Sequence, residues 1–326
     1  MSPPRLRLAV LPTPVVAADR LRAELGCAPV WVKRDDLTGF GVSGNKARAC
    51  EHLLGDAVAR GCDLLVTGGG GDSNFVAAAA LAARVAGLDC ELVVTGPAGA
   101  APSRNVELAL AAGARIRPLG HARRDLIDDA VEELAAQRRA EGRHPVALPR
   151  GGSTPLGAVG FARAARELAD QVTAGELPAP ALLVIAVGSG GSAAGLLAGL
   201  AATGLRCPVL GVSVSRPASE ARATVLDLGH GCAVLRGTPA PDPAALEIVD
   251  ARGPGFGIAA PGDRAAAGLA LRTEGLLLDD TYGAKAFAVL LGRLRAGVAG
   301  PVLYWHTGGV VSALAHLQPA PEGVHT

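Results

Sequence analysis

The 326-residue chain has three lysines, Lys33, Lys46 and Lys285; its other 28 basic residues are arginine. Lys46 is the one whose setting suggests chemistry. The segment Asn45–Arg60 reads as a helix with apolar Cys50, Leu53, Leu54, Ala57 and Val58. Lys46, Cys50, Leu53 and Ala57 fall at i, i+4, i+7 and i+11, a single stripe of that helix. An amine there lies on the buried face and in the first turn, where desolvation and the positive helix end both disfavour the ammonium. That suits a Schiff-base lysine; the alternative is a side chain that snorkels out from a frayed helix end.

Four strand–glycine–helix junctions accompany it: Gly39–Lys46 (GFGVSGNK), Gly68–Asn74 (GGGGDSN), Gly188–Ser192 (GSGGS) and His306–Gly309 (HTGG). Each would set backbone N–H groups and a helix N-terminus at the carboxyl edge of a sheet, where open α/β folds bind anionic ligands. One such loop is as readily an ordinary turn; four point to a site for several anionic groups. Gly188–Ala193 also fits G-x-G-x-x-A, which makes an NADP-dependent reductase a rival. The acidic residue that fingerprint expects is missing, because the next strand ends Val214-Ser215-Arg216. A reading through Arg216 would leave Lys46 and the other glycine loops unexplained.

The elements that must position these residues alternate. Strand-like runs at Asp63–Thr67, Cys90–Thr95, Ala181–Val187, Pro208–Ser215 and Pro301–Trp305 each precede a helical pattern, among them Asn74–Ala86, Asn105–Ala112, Ala193–Ala202 and Val310–Leu317. Repeated strand–helix units imply parallel sheets covered on both faces. The longest polar, Gly/Pro-punctuated stretches are Gly142–Thr154 and Cys232–Gly262. The first could bound an α/β unit of about residues 50–160, in keeping with two units of about 150 residues.

Composition narrows the class. Lys+Arg 31 against Asp+Glu 30 gives a net charge of +1, which excludes a polybasic nucleic-acid arm or an acidic tail. Hydrophobic residues at 49% and charged residues at 19% exclude disorder. No apolar run approaches the ~18 residues of a membrane span, and the start MSPPRLRLAVLPTP lacks a signal-peptide layout. The expectation is a soluble, cytoplasmic protein with neither a membrane nor a nucleic acid as partner. Cys27, Cys50, Cys62, Cys90, Cys207 and Cys232 show no CxxC and no metal-type His spacing, so they read as small buried hydrophobes, with no metal expected.

Val32–Arg48 (VKRDDLTGFGVSGNKAR) resembles the cofactor-lysine segment of the fold-type II pyridoxal-phosphate enzymes, in the branch of D-cysteine desulfhydrase and 1-aminocyclopropane-1-carboxylate deaminase. The resemblance continues through Gly61–Asn74, Arg150–Phe161, Val187–Gly195, Gly211–Arg216, Thr273–Lys285 and Tyr304–Gly309, in order along most of the chain. It implies an α/β fold of two open, mainly parallel twisted sheets flanked by helices (tryptophan synthase β-like), with pyridoxal 5'-phosphate between the domains. Residues 1–50 plus 161–326 would form the large cofactor-binding domain and 51–160 the small one, in a homodimer.

Residue by residue, the resemblance implies Lys46 as the cofactor lysine and proton carrier. Asn74 would hydrogen-bond the cofactor's phenolic oxygen, and Gly188, Ser189, Gly190, Gly191 and Ser192 would hold its phosphate. Ser73 would bind the substrate carboxylate with the N–H groups of Asn74 and Phe75; plain helix capping is the bland alternative. Thr307 would face the pyridine nitrogen, with Tyr282 near the ring.

Three positions depart from the pattern. Asp72 replaces a glutamine beside the carboxylate site, Phe256 replaces the deaminase's first tyrosine, and Gly283 replaces its glutamate. A neutral Thr307 opposite the pyridine nitrogen suits β-elimination better than ring opening. The expected activity is therefore that of a lyase on a small amino acid, D-cysteine desulfhydrase-like, giving keto acid and ammonia. The deaminase ranks behind it, then elimination or replacement on an unusual amino acid selected by Asp72 and Phe256. A non-catalytic amino-acid sensor would have less use for Lys46.

Overall fold

The run Leu64–Gly69 (LLVTGG) is buried at every position, as a strand covered by helices on both faces requires. It belongs to an α/β architecture seen in a computed structural model that describes residues 3–96, 99, 101–315 and 317. In chain order the strands are β1 (Val15–Ala17), β2 (Val30–Arg34), β3 (Leu64–Gly69), β4 (Asp89–Val94), β5 (Arg115–Pro118), β6 (Pro145–Ala147), β7 (Leu182–Val187), β8 (Val209–Ser213), β9 (Leu246–Asp250) and β10 (Val302–His306). Six form a sheet ordered β1-β2-β10-β7-β8-β9 and four a second sheet ordered β5-β4-β3-β6. Of the described strands only β1 pairs antiparallel. The expected class of two mainly parallel sheets flanked by helices is what the chain adopts.

The five expected strands and five expected helices are present, with ends shifted by no more than two residues. The helix expected over Val310–Leu317 runs Val310–Ala315, and position 316 lies outside the described residues. Both stretches read as polar connections hold regular structure instead. Gly142–Thr154 contains β6, while Cys232–Gly262 contains the end of the helix Ala218–Arg236 and all of β9. β6 is only three residues long and β9 is a half-exposed edge strand, so neither carries the apolar run of an inner strand.

The helix Lys46–Ala59 buries Ala47, Cys50, Leu53, Leu54 and Ala57 and packs on the helix Pro155–Thr173. A Cβ added to Gly160 would lie 2.1 Å from the Arg48 carbonyl oxygen, so any side chain there would push these helices apart. Cys50, Cys90, Cys207 and Cys232 are buried as expected, whereas Cys27 and Cys62 are partly exposed. Among the described residues no helix is long and apolar enough to cross a membrane.

Between β2 and these two helices lies a buried charge cluster. Lys33 Nζ donates to the Thr13 carbonyl (2.7 Å), Glu167 Oε1 (2.6 Å) and Gln171 Oε1 (2.6 Å). Arg48 donates to both carboxylate oxygens of Asp35 at 2.8 Å and to both of Glu167 at 3.0 Å. Burial alone would raise the Glu167 carboxyl, but Arg48 and Lys33 outweigh it and hold it down at about 2. Burial lowers the Lys33 amine against the pull of Glu167. The charges survive burial because each is paired and hydrogen-bonded.

Candidate active site

The carboxyl ends of β3, β7 and β10 meet the first residues of the helices Lys46–Ala59, Asn74–Val85 and Gly191–Ala201 around a cavity of about 530 Å³. All four glycine junctions contribute to its wall. Lys46 is the first residue of its helix, placed there by contact with the end of β10. Asn45 N donates to the Thr307 carbonyl at 2.9 Å. Gly44 has φ +53°, and a Cβ on it would stand 2.5 Å from that same oxygen, so the tight approach needs glycine. Cys50, Leu53 and Ala57 of the expected stripe are buried. Lys46 is half-buried against the cavity and, among the described residues, its amine has no hydrogen-bond or ion-pair partner. Burial lowers its pKa, with Cys50 opposing weakly.

The turn Gly188–Ser192 begins the helix Gly191–Ala201, with Gly190 at φ +99°. Asn45 Nδ2 donates to Ser192 Oγ at 2.9 Å. Ser153 Oγ bonds Ser189 Oγ at 2.6 Å and accepts from Gly191 N at 3.3 Å. The result is a cradle of hydroxyls and free first-turn N–H groups suited to a phosphate.

Ser73 precedes the helix Asn74–Val85, yet its hydroxyl makes no capping bond. Ser103 and Thr154, at the same position of their helices, both accept a backbone N–H. Ser73 Oγ is left for the cavity instead. Asn74 Oδ1 accepts from Asn105 Nδ2 (3.1 Å) and Ser312 Oγ (3.3 Å), which leaves its Nδ2 to donate into the cavity. The Phe75 ring is buried in the core, so only its backbone N–H is available there. Tyr282 and Thr307 line the cavity. Burial pushes the Tyr282 phenol up to about 12. Behind Tyr282, Asp279 accepts the N–H groups of Thr281, Tyr282 and Gly283, and burial raises its carboxyl to about 6 against those bonds.

Two expected residues lie elsewhere. Asp72 is exposed in a separate shallow depression with Ser103, Arg104 and Asn105, so it is not beside the carboxylate loop's cavity face. Phe256 does not itself line the cavity; it meets Tyr282 edge-on at 5.8 Å. Three residues of the site carried no expectation. Asn45 and Ser153 brace the phosphate cradle, and Arg124 places its guanidinium carbon 3.5 Å from the Phe256 ring centroid. Ser153 falls within the family-like block Arg150–Phe161, which was a usable signal; Arg124 offered none.

A family model described as "Pyridoxal-phosphate dependent enzyme" matches residues 6–308. A putative 1-aminocyclopropane-1-carboxylate deaminase of Pyrococcus abyssi is 36% identical over 313 residues, covering 94% of this chain and 92% of that one. A D-cysteine desulfhydrase of Yersinia enterocolitica is 34% identical over 330 residues, 96% of each chain. The crystal structure of an ACC deaminase homologue superposes with a TM-score of 0.88 at 31% identity, covering 97% of both chains.

Proposed function

The chain belongs to the pyridoxal-phosphate dependent enzymes, and on that premise we propose that it is a lyase removing the β-substituent of a small amino acid, as a D-cysteine desulfhydrase does. The observation that carries this reading is the desolvated Lys46 amine, unpartnered among the described residues, which shares one cavity with the uncapped Ser73 hydroxyl and the Gly188–Ser192 cradle. The residues fit the cofactor: Lys46 to hold it covalently, Asn74 Nδ2 for its phenolic oxygen, Gly188–Ser192 for its phosphate and Thr307 for its pyridine nitrogen. When bound, pyridoxal phosphate supplies the electron sink for charge at the substrate α-carbon.

The protein's own groups do the rest. Ser73 Oγ and the N–H groups of Asn74 and Phe75 hold the α-carboxylate, which turns the Cα–H bond toward Lys46. Lys46 Nζ, uncharged because burial disfavours its ammonium, takes that proton. The β-substituent leaves with its bonding electrons, Tyr282 donating to it as a phenol that burial keeps protonated. Water then yields the keto acid and ammonia. Within this proposal residues 1–50 plus 161–326 form the cofactor domain and 51–160 the small domain. Assembly as a homodimer and a cytoplasmic location belong to it too, checked by light scattering and cell fractionation. The family match sets the reductase reading aside.

Ring opening is the less favoured activity. A Cβ at Gly283 would already stand 3.1 Å from Leu278 and 3.2 Å from Asp279, so the backbone here has no room for the deaminase's glutamate without rearrangement. The test is a side-by-side assay of D-cysteine, L-cysteine and 1-aminocyclopropane-1-carboxylate on the loaded enzyme. Sulfide and keto acid from cysteine are expected; fast ring opening with no sulfide would reverse the reading.

A further inference from the structure

Arg124 has no task in the chemistry proposed above. It opens a single 3-10 turn, Arg124–Leu126, and lines the cavity. A Cβ on Gly70 would stand 3.6 Å from Arg124 Nε and 4.0 Å from the Phe256 ring, so both side chains close over the loop that carries Ser73. Among the described residues its guanidinium donates no hydrogen bond and meets no carboxylate, although Nε is buried. Its neighbours are served. Arg150 pairs with Asp128 at 2.9 Å, Arg123 with Asp125 at 2.6 Å, and Arg216 donates to Thr224 Oγ1 at 3.1 Å.

A guanidinium offers five donors in a rigid fork and stays charged. Stacking on Phe256 fixes its plane and attracts its charge, yet satisfies none of those donors. Burial lowers its pKa; Tyr282 opposes this, and the positive Arg150 and Arg216 add to the lowering. The residue is half-buried, with Nε sealed from water and the rest of the fork open to the cavity, so a ligand that takes the fork bidentately would satisfy a donor that water does not reach. The α-carboxylate already has the Ser73 hydroxyl and first-turn N–H groups. The phosphate cradle lies on another loop. A fork facing the Ser73 loop therefore has room for one more oxyanion.

We propose that Arg124 is a specificity residue that binds an oxyanion on the substrate's side chain, so that the preferred substrate is an acidic amino acid rather than a neutral one. Carboxylate, sulfonate and phosphate groups share the chemistry that would be recognised, a planar or trigonal set of oxygens taken bidentately. The proposal rests on the lyase reading and deepens it by naming the substrate class.

Calorimetric titration of the loaded enzyme with aspartate, cysteate, O-phosphoserine and neutral serine, in both enantiomers, tests it. At least one acidic probe should bind more than about 10-fold tighter than serine, and Arg124→Gln should remove about 10- to 100-fold of that affinity. Cofactor absorbance and melting temperature should not change, and Arg124→Lys should restore part of the preference and stands in if the glutamine variant does not fold. Acidic probes that bind no better than serine, or a preference that survives Arg124→Gln, overturn the proposal. So does loss of cofactor with the preference intact, which would make the cofactor phosphate the partner of Arg124. Keto acid is read separately on the same probes. Arg124-dependent binding without keto acid from any substrate sinks the lyase reading alone; keto acid without Arg124-dependent preference sinks this inference alone.

Discussion

Lys33 and Lys46 are both amines whose pKa burial lowers, one on β2 and the other at the start of the α-helix that follows it. Lys33 is matched on three sides by Thr13, Glu167 and Gln171. Lys46 is matched by nothing among the described residues, and its neighbours Ser73 and Arg124 share that condition. The same desolvation thus has opposite meanings. Around Lys33 it is compensated within the fold and binds three elements together; around Lys46 it is left open for a ligand to compensate. An unmatched polar group beside a cavity is informative because its matched counterpart sits one element away in the same protein.

The comparison fails if the two clusters answer mutation alike. Arg48→Met strands Asp35 and Glu167, and chemical denaturation should show a loss of about 3–5 kcal/mol. A loss under about 1 kcal/mol would mean the cluster is not what holds β2 to the two helices. Lys46→Ala should do the reverse. Turnover should fall about 10²- to 10⁴-fold, while unfolding free energy measured on the same preparation stays level or rises.

Ser73→Ala sharpens the contrast at a single atom. Substrate affinity should weaken by about 1.5–3 kcal/mol with cofactor loading and stability unchanged, because no helix cap is lost. Ser103→Ala, which removes a real cap, should instead cost about 1 kcal/mol of stability. The last contrast is one of pH and lies with Glu167, whose titration leaves stability at neutral pH untouched. Its pKa lies below the ordinary 4.5, at about 2 in the fold, so its contribution is complete above 4.5 and drains away as pH falls toward 2. Glu167→Gln should flatten that limb of a stability–pH curve; an unchanged slope would assign it to other carboxylates.

Lys46 and the glycine loops were legible in the sequence because each owes its place to local pattern: a stripe on one helix, or a turn between a strand and a helix. Asp72 is adjacent to Ser73 in the chain but lies outside the cavity, in the depression with Ser103 and Arg104, a separation that no local pattern shows. Asn45 and Ser153 act through bonds to Ser192 and Ser189, partners that no local pattern identifies. Arg124 was least legible. It sits in a three-residue turn within the arginine-rich HARRD run, one of 28 arginines, and its stacking partner Phe256 lies far along the chain. β1, β5, β6 and β9 escaped for a related reason, being short or at sheet edges, whereas β2 is an inner strand whose apolar run is cut short by Lys33 and Arg34.

The strand order has a consequence for how the protein is made. β10 is the last of the described strands to leave the ribosome, yet it lies in the middle of the six-stranded sheet, between β2 and β7. The small sheet can close while synthesis continues, because all four of its strands precede β7. The large one waits as two fragments with facing open edges, a state that invites mispairing. Only when β10 slots in does the Thr307 carbonyl reach Asn45 and lock the reactive lysine. A nascent chain therefore carries a closed small sheet but no working centre until β10 has emerged and paired.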